Sequence, residues 1–430
     1  MKAIVCNILL LLALAAPAGA VDRIKVSKQF SGQLKLALPL FREEQAARPD
    51  LAAPLTNLLL DDLILSGYFV PVPNRAFVAQ AEQMDLRSGK VNLAEWKATG
   101  AEILVKGSFR VRAPKIEVEV RVVDLRKARQ VFGKKYSIGL ENWRSVIHKA
   151  ADEITLALTG ERGLARTQIA FVSPDRGERK IYLMEGSGQN WREIDTGRGI
   201  AINPDWSPDG RTLVYTGYTA SFPWIFQDNL ETGKRRILSS FPGLNAFPAV
   251  SPDGQWLALT LSKDGNNEIY RMRLDNRSLQ RLTWSRGNDC SPTWSSDGSR
   301  IAFTSDRGGS PQIYLMNADG SNVRRLRLPG SYNTCPAWSP RGDIIAYSSR
   351  SGGSFDIYLV DLGAGQASRV TRDGADDEDP SWAPDGRHIV YSSRRGKSTN
   401  LFVVDILNPA PIQLTRGREC TSPAWGPYVY

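Results

Sequence analysis

From Ile169 onward, short runs of apolar residues return at a fixed interval. Large apolar residues mark one run at Phe171, Tyr215, Leu259, Phe303, Tyr347 and Tyr391, and a second at Tyr182, Phe226, Tyr270, Tyr314, Tyr358 and Phe402. A third series is Ile194, Leu238, Leu282, Leu326, Val370 and Leu414. The fourth stands in Pro-x-Trp-[Ser/Ala]-x-x-Gly segments at Trp206, Trp294, Trp338 and Trp382, with Val250 in the Trp position of the second copy and Trp425 opening a truncated sixth. The step is 44 residues up to Trp382 and 43 in the last interval. Each run is short, rich in β-branched and aromatic residues, and bounded by Gly, Asp, Ser or Asn, which is how strands read. Four strands in about 40–45 residues is the period of a propeller blade. The pattern predicts a six-bladed β-propeller over residues 164–430.

The Ser-Pro-Asp-Gly turn after each Trp has its own logic. Pro208 or Pro252 presets φ, Asp209 or Asp253 can accept from nearby backbone N–H groups, and Gly210 or Gly254 tolerates positive φ. The first copy, from Ile169, lacks a Pro-x-Trp strand, whereas Pro423-Ala424-Trp425 has little after it. The register therefore predicts that the C-terminal segment supplies the innermost strand of the first blade and removes its open edge.

The preceding 140 or so residues lack the repeat. Pro54–Ser66 reads as a helix stopped by Gly67, and Asn142–Leu158 as an amphipathic helix ended by Gly160. Ala101–Phe109, Lys115–Asp124 and Gln130–Ile138 read as strands. The fold class is thus multidomain, a small N-terminal α/β domain (21–163) followed by an all-β propeller, with a linker over Thr159–Arg166. Residues 1–20 read as a secretory signal: Lys2, then an apolar run from Ile4 to Ala16, then Ala18-Gly19-Ala20 as the cleavage site. That run is shorter than the roughly 20 residues a bilayer requires, so a soluble mature chain beginning near Val21 or Asp22 is expected.

Composition narrows the chemistry. The net charge of +10 is spread over 55 basic and 45 acidic residues without a long basic block, which describes a solvated surface and no nucleic-acid partner. There is no Gly-x-Ser-x-Gly, no His-Glu-x-x-His and no phosphate-binding loop. His148 and His388 stand far apart in sequence and read as ordinary surface or packing residues. No catalytic residue, metal ligand or cofactor site is assigned. Cys290, Cys335 and Cys420 are too few to make the fold depend on disulfides, although a Cys290–Cys335 bridge and a free pair are both open.

The residues entering each Pro-x-Trp strand vary from copy to copy: Asn245-Ala246, Asp289-Cys290, Asn333-Thr334, Asp377-Glu378 and Glu419-Cys420. Two readings are open for this ring of short polar and acidic groups, local turn chemistry and a polar rim that binds a partner. A cation in the channel is a third, since carboxylate and amide oxygens suit a hard ion.

A signal peptide, a small α/β domain and a six-fold Pro-x-Trp-Ser-Pro-Asp-Gly propeller together resemble the TolB family, the exported component of the Tol-Pal system of Gram-negative bacteria. The resemblance implies a periplasmic, non-enzymatic protein, a monomer within a Tol-Pal complex and without direct membrane insertion. It implies that the lipoprotein Pal binds the propeller mouth, here Asn245, Ala246, Asp289, Cys290, Asn333, Thr334, Asp377, Glu378 and Glu419. It implies that TolA binds the extended mature N-terminus, here Asp22, Arg23, Ile24, Lys25, Val26, Ser27 and Lys28, in support of outer-membrane integrity and cell division. The alternative is an exported propeller acting as a glycan-binding module, with Phe222, Trp224 and Phe247 as irregular aromatics, or as a hydrolase-associated domain.

Overall fold

The structure, a computed structural model, describes residues 32–45, 47–73, 93–218 and 222–428. The signal segment and the Asp22–Lys28 stretch lie outside the described residues.

The N-terminal part is a mixed sheet with two helices on one face. Strand β1 (Leu34–Ala37) lies between β3 (Phe69–Pro71) and β4 (Ile103–Arg112), parallel to both, and β2 (Arg42–Glu43) also runs beside β4. β5 (Lys115–Asp124) and β6 (Arg129–Gly139) continue the sheet as an antiparallel meander. Ile116, Val118, Val120 and Val122 alternate along β5 and are buried against helices α1 (Ala52–Leu65) and α3 (Trp143–Thr159). Helix α3 stops where Gly160 takes φ 78°, the left-handed cap that favours glycine. Gly107 on β4 is required for a different reason: a Cβ there would stand 2.1 Å from the Phe41 ring packed across it. The helices and β4–β6 fall within three residues of the sequence expectation. The three short strands β1–β3 and a fourth element, α2 (Leu93–Ala98), were not anticipated by it.

The C-terminal part is a β-propeller. One sheet runs Asn245–Val250, Trp256–Leu261, Glu268–Arg273, Leu279–Arg281, each strand antiparallel to the next, and three more repeat that order from Asp289–Trp294, Tyr332–Trp338 and Asp376–Trp382. The remaining strands form one eight-stranded sheet, whose two halves meet only at the single parallel bridge Ile200↔Arg179. Its far edge is Thr421–Trp425, paired antiparallel with Gln168–Asp175 through Thr421↔Val172 and Trp425↔Ile169, as the register predicts.

Two of the repeat series turn out to be partners. Phe171↔Tyr182, Tyr215↔Phe226, Phe303↔Tyr314, Tyr347↔Tyr358 and Tyr391↔Phe402 sit directly opposite each other on adjacent strands, with ring centroids 5.7–6.1 Å apart. Such cross-strand aromatic pairs fix register as well as burying area. The Trp series joins neighbouring sheets. Trp294 Nε1 donates to Ala249 O and Trp382 Nε1 to Ala337 O across sheet boundaries, and Trp206 Nε1 to Ala424 O between the two halves of the eight-stranded sheet, each at 3.0 Å.

The N-terminal part sits on the propeller face that carries the Ser-Pro-Asp-Gly turns. Arg341, in one of those turns, lies 3.4 Å from Glu161, and Arg387, in another, stacks on Tyr68 at 4.3 Å. The histidines are not surface residues. His388 is buried 2.6 Å from Asp385, and His148 is buried at the junction of the two parts, 2.7 Å from Asp62 on α1 and 3.2 Å from Glu185 of the propeller. Arg144 completes this cluster with a 2.8 Å bond to Glu185. Burial alone would lower the His148 pKa, but the hydrogen bonds from Asp62 and Glu185 outweigh it and hold it up to about 9.

Two outcomes follow from these contacts. Truncation after Thr421 removes the pairing with Gln168–Asp175 and the acceptor for Trp206; it lowers the melting temperature by at least about 5 °C or causes aggregation, and a truncated chain as stable as the parent would contradict the closure. The His148 cation stabilises the folded state fully below its ordinary pKa of 6.5, and this contribution is lost as pH rises through about 9. Melting temperatures of the parent should therefore decline across that window, while His148→Gln starts lower and varies less.

Candidate functional site

Proline cannot donate to a β ladder, so an inner strand with Pro two places before the Trp position must break its pairing there. Every such strand does. Pairing shifts between Ile202 and Asp205, Ala246 and Ala249, Cys290 and Thr293, Thr334 and Ala337, Glu378 and Ser381, and Thr421 and Ala424. At the centre of each bulge one residue takes left-handed backbone: Asn203, Phe247, Ser291, Cys335, Asp379 and Ser422, with φ between 48° and 53°. None is glycine, and such a conformation costs on the order of 1–3 kcal/mol for an ordinary residue. These six residues line one cavity of about 540 Å³, together with the six prolines that follow them.

The bulge re-sorts the rim expected from sequence. Asn245, Asp289, Asn333, Asp377 and Cys420, five places before the Trp position, are fully buried, and Ala246 nearly so. They hold the entry loops. Asn245 accepts from Ser239 Oγ at 2.6 Å and donates to Phe241 O at 2.7 Å; Asp289 receives Arg307 at 2.5 Å; Asn333 donates to Gln312 at 2.8 Å. The turn-chemistry reading describes these four polar residues. Cys290, Thr334 and Glu378, one place later, are half-buried and accessible. Glu419 is exposed and pairs with Arg179 at 3.1 Å. Because the last interval is 43 residues, Thr421 and not Glu419 is the equivalent of Glu378. Sequence reasoning missed Asn203, Ser291, Asp379 and Ser422, and it singled out Phe247 and Cys335 only as an irregular aromatic and one half of a possible bridge. The signal available was their variability immediately before an invariant proline.

Burial dominates the electrostatics of the channel wall. It pushes Asp205 up to about 6, against the 2.8 Å hydrogen bond that its carboxylate accepts from Val250 N. Asp379 is raised by burial against hydrogen bonds to Cys335 and Ser422. Burial also raises the thiols of Cys290 and Cys335, keeping them protonated at neutral pH, and all three cysteines are free. Among the described residues, no group of three or more His, Cys, Asp or Glu side chains is arranged to hold a metal ion. A wall of neutral thiols, hydroxyls, amides and reluctant carboxylates can bind through shape and hydrogen bonds.

Comparison with known proteins decides the family. Residues 156–429 match the family model of the TolB β-propeller domain, and residues 22–131 that of the TolB amino-terminal domain. The chain belongs to the TolB family. It is similar to the Tol-Pal system protein TolB of Desulfosudis oleivorans, 34% identical over 230 residues, covering 53% of this chain and 52% of that protein. The protein of the same description from a Polaromonas species is 35% identical over 238 residues, 55% of this chain and 54% of that one. The chain thus spans about half the length of the curated relatives it matches. The crystal structure of TolB from Acinetobacter baumannii superposes with a TM-score of 0.80 at 28% identity, over 92% of this chain and 97% of that one.

Asp377 offers a test of the buried ring. Its carboxyl is pushed up from 3.8 to about 6 by burial, so the folded state favours the protonated form. Stability is then greatest below 3.8 and declines as pH rises through about 6. The repeat already carries Asn at 245 and 333. Asp377→Asn should raise the melting temperature at neutral pH by about 2–5 °C, with the gain vanishing near pH 4. Thermal denaturation at both pH values checks this.

Proposed function

We propose that this protein is a periplasmic, non-enzymatic scaffold of the Tol-Pal system, whose channel mouth grips Pal and whose extended N-terminus recruits TolA. In this reading the propeller has six blades, the eight-stranded sheet counting as two blades that touch at one bridge. The observation that carries it is the set of six strained bulge residues converging on one cavity of about 540 Å³. Non-glycine residues held in a costly backbone conformation at equivalent places around a channel are one mark of a binding surface. The names of the relatives as Tol-Pal system proteins support the partner system. An export signal at residues 1–20 supports the compartment, and among the described residues no helix is long and apolar enough to cross a membrane.

The buried Asn245, Asp289, Asn333 and Asp377 then shape the mouth, and the accessible residues touch Pal: Cys290, Ser291, Thr334, Glu378, Asp379 and Thr421. Ser291→Arg together with Glu378→Arg should weaken binding of purified soluble Pal at least about tenfold, the scale of one lost hot spot, with an unchanged melting temperature. Deleting residues 22–28 should abolish TolA binding and leave Pal binding intact. Titration calorimetry with each partner measures both, and equal Pal affinity of parent and double variant would reject the channel-mouth site.

A further inference from the structure

The propeller face opposite the N-terminal part carries one feature that neither the repeat nor the channel explains. Trp284 is 70% exposed, more than any other large apolar side chain among the described residues. It lies on the loop that leaves the outer strand Leu279–Arg281 and crosses this face to the inner strand Asp289–Trp294, which carries Cys290 and Ser291 into the channel. At the same repeat position the other loops carry Ser240, Leu328, Arg372 and Arg416. The indole does not belong to the repeat.

The loop beneath it is rigid. Glu268, fully buried, accepts from Thr283 Oγ1 at 2.6 Å, Ser285 N at 2.8 Å and Arg281 Nη2 at 2.9 Å. Asn266 Nδ2 donates to Ser285 O at 2.7 Å and Gly287 O at 2.8 Å. Both chain neighbours of Trp284 are thus fixed by side chains from the next strand and its loop, while Trp284 itself points outward with the Arg281 guanidinium 5.6 Å from its ring. A large aromatic held on a braced loop loses little conformational freedom on docking, which is the property of an interface anchor.

The charge on this face narrows the occupant. Arg286, two residues from Trp284, and Arg176, Arg198, Arg372, Lys397 and Arg416, distributed around the rest of the ring, all emerge from loops of this face, all are exposed, and none has a carboxylate partner within ion-pair distance among the described residues. The N-terminal part binds the other face, so these cations stay open. An aromatic anchor on a face that carries unpaired cations selects an acidic protein surface with an apolar recess.

We propose that Trp284 is the principal anchor of the partner that occupies the channel mouth, and that this partner presents an acidic surface with an apolar recess to receive the indole. The inference rests on the Pal reading above and assigns to Pal the surface chemistry that faces this protein. Association is then steered by the surrounding arginines, and dissociation is governed by Trp284.

The test uses the full mature chain and purified soluble Pal, with kinetics followed by surface plasmon resonance. Trp284→Ala should leave the melting temperature unchanged and weaken affinity at least about thirtyfold, mainly through faster dissociation. Trp284→Phe should recover most of the loss. Arg286→Glu with Arg372→Glu should slow association about tenfold and flatten its dependence on salt. Binding should also blue-shift tryptophan emission in the parent and do so less in Trp284→Ala. Unchanged affinity in Trp284→Ala, with Ser291→Arg/Glu378→Arg still weakened, overturns the anchor and leaves the channel-mouth reading standing. Failure of the parent to bind Pal overturns both. Loss in Trp284→Ala of binding to soluble peptidoglycan fragments, with Pal binding intact, would make the indole a glycan platform and also overturn the inference.

Discussion

A proline two residues before each inter-sheet tryptophan is the constraint on which the rest of this molecule depends. The proline has no N–H to give to the ladder, so the inner strand bulges, and the residue before it is forced into left-handed backbone. Two places later Trp206, Trp294 and Trp382 each reach across to the neighbouring inner strand and bond its carbonyl, while Trp425 donates to the Thr167 hydroxyl. A single tripeptide therefore sets both the lateral packing that makes a ring and the inward projection that makes a site. The strain of the bulges is sustained because the tryptophans on either side bury their rings and leave the inner strand no room to relax. Val250, in the one copy without Trp, keeps the same bulge, and its N–H is held by the Asp205 carboxylate as the N–H groups of Trp338 and Trp425 are held by Thr293 and Ser381.

The repeat was legible because each landmark answers a contact made within one sheet or to the adjacent one. Phe303 and Tyr314 recur in phase since they face each other across two strands, and Leu282 recurs since its N–H returns to Ile269 O at 2.8 Å. β5 was legible for a similar reason, with alternate valines facing two helices. β1 was not: it has only four residues, too few for the alternation of Leu34 and Leu36 about the exposed Lys35 to stand out. Of the rim expected from sequence, Asn245, Asp289, Asn333 and Asp377 are buried, and the residues that line the cavity stand two places after each of them. Period-two reasoning fails at a bulge, where one extra residue turns the chain, so Asn245 and Asp377 point into the protein while Phe247 and Asp379 reach the channel. The charge on His148 was invisible for another reason, because Asp62 and Glu185 come to it from distant segments.

Burial of carboxyl groups without full compensation runs through the structure. Asp62, Asp205 and Asp377 are each pushed up to about 6, in three different settings: the junction, the channel wall and the mouth. A fold selected only for stability would carry amides there, as Asn245 and Asn333 show is feasible. Their retention places titratable groups at the joints between the N-terminal part, the ring and the channel. At Asp62 the cost is offset by His148, which is in turn shared with Glu185 of the propeller. The junction is therefore held by one imidazole between two carboxylates, and its strength depends on how closely the helices α1 and α3 stay docked on the turn that carries Glu185.

The two faces of the disc are consequently unlike in kind. One is occupied by the N-terminal part through ion pairs drawn from the Ser-Pro-Asp-Gly turns and the junction cluster. The other exposes loops whose polar side chains are spent on bracing, as Glu268 and Asn266 brace the loop of Trp284. Bracing of this kind holds the loops in place and leaves outward side chains such as Trp284 free, so the shape of this face is set in advance of any contact. Since the inner strands run from that surface through the bulges to the turns beneath the N-terminal part, displacement of a bulge residue by a bound partner would be felt first at turns such as those of Arg341 and Arg387. Those turns hold Glu161 and Tyr68. The strained, left-handed residues thus store conformational energy within the inner strands, and they lie between the loop-lined mouth of the channel and the turns that meet the N-terminal part.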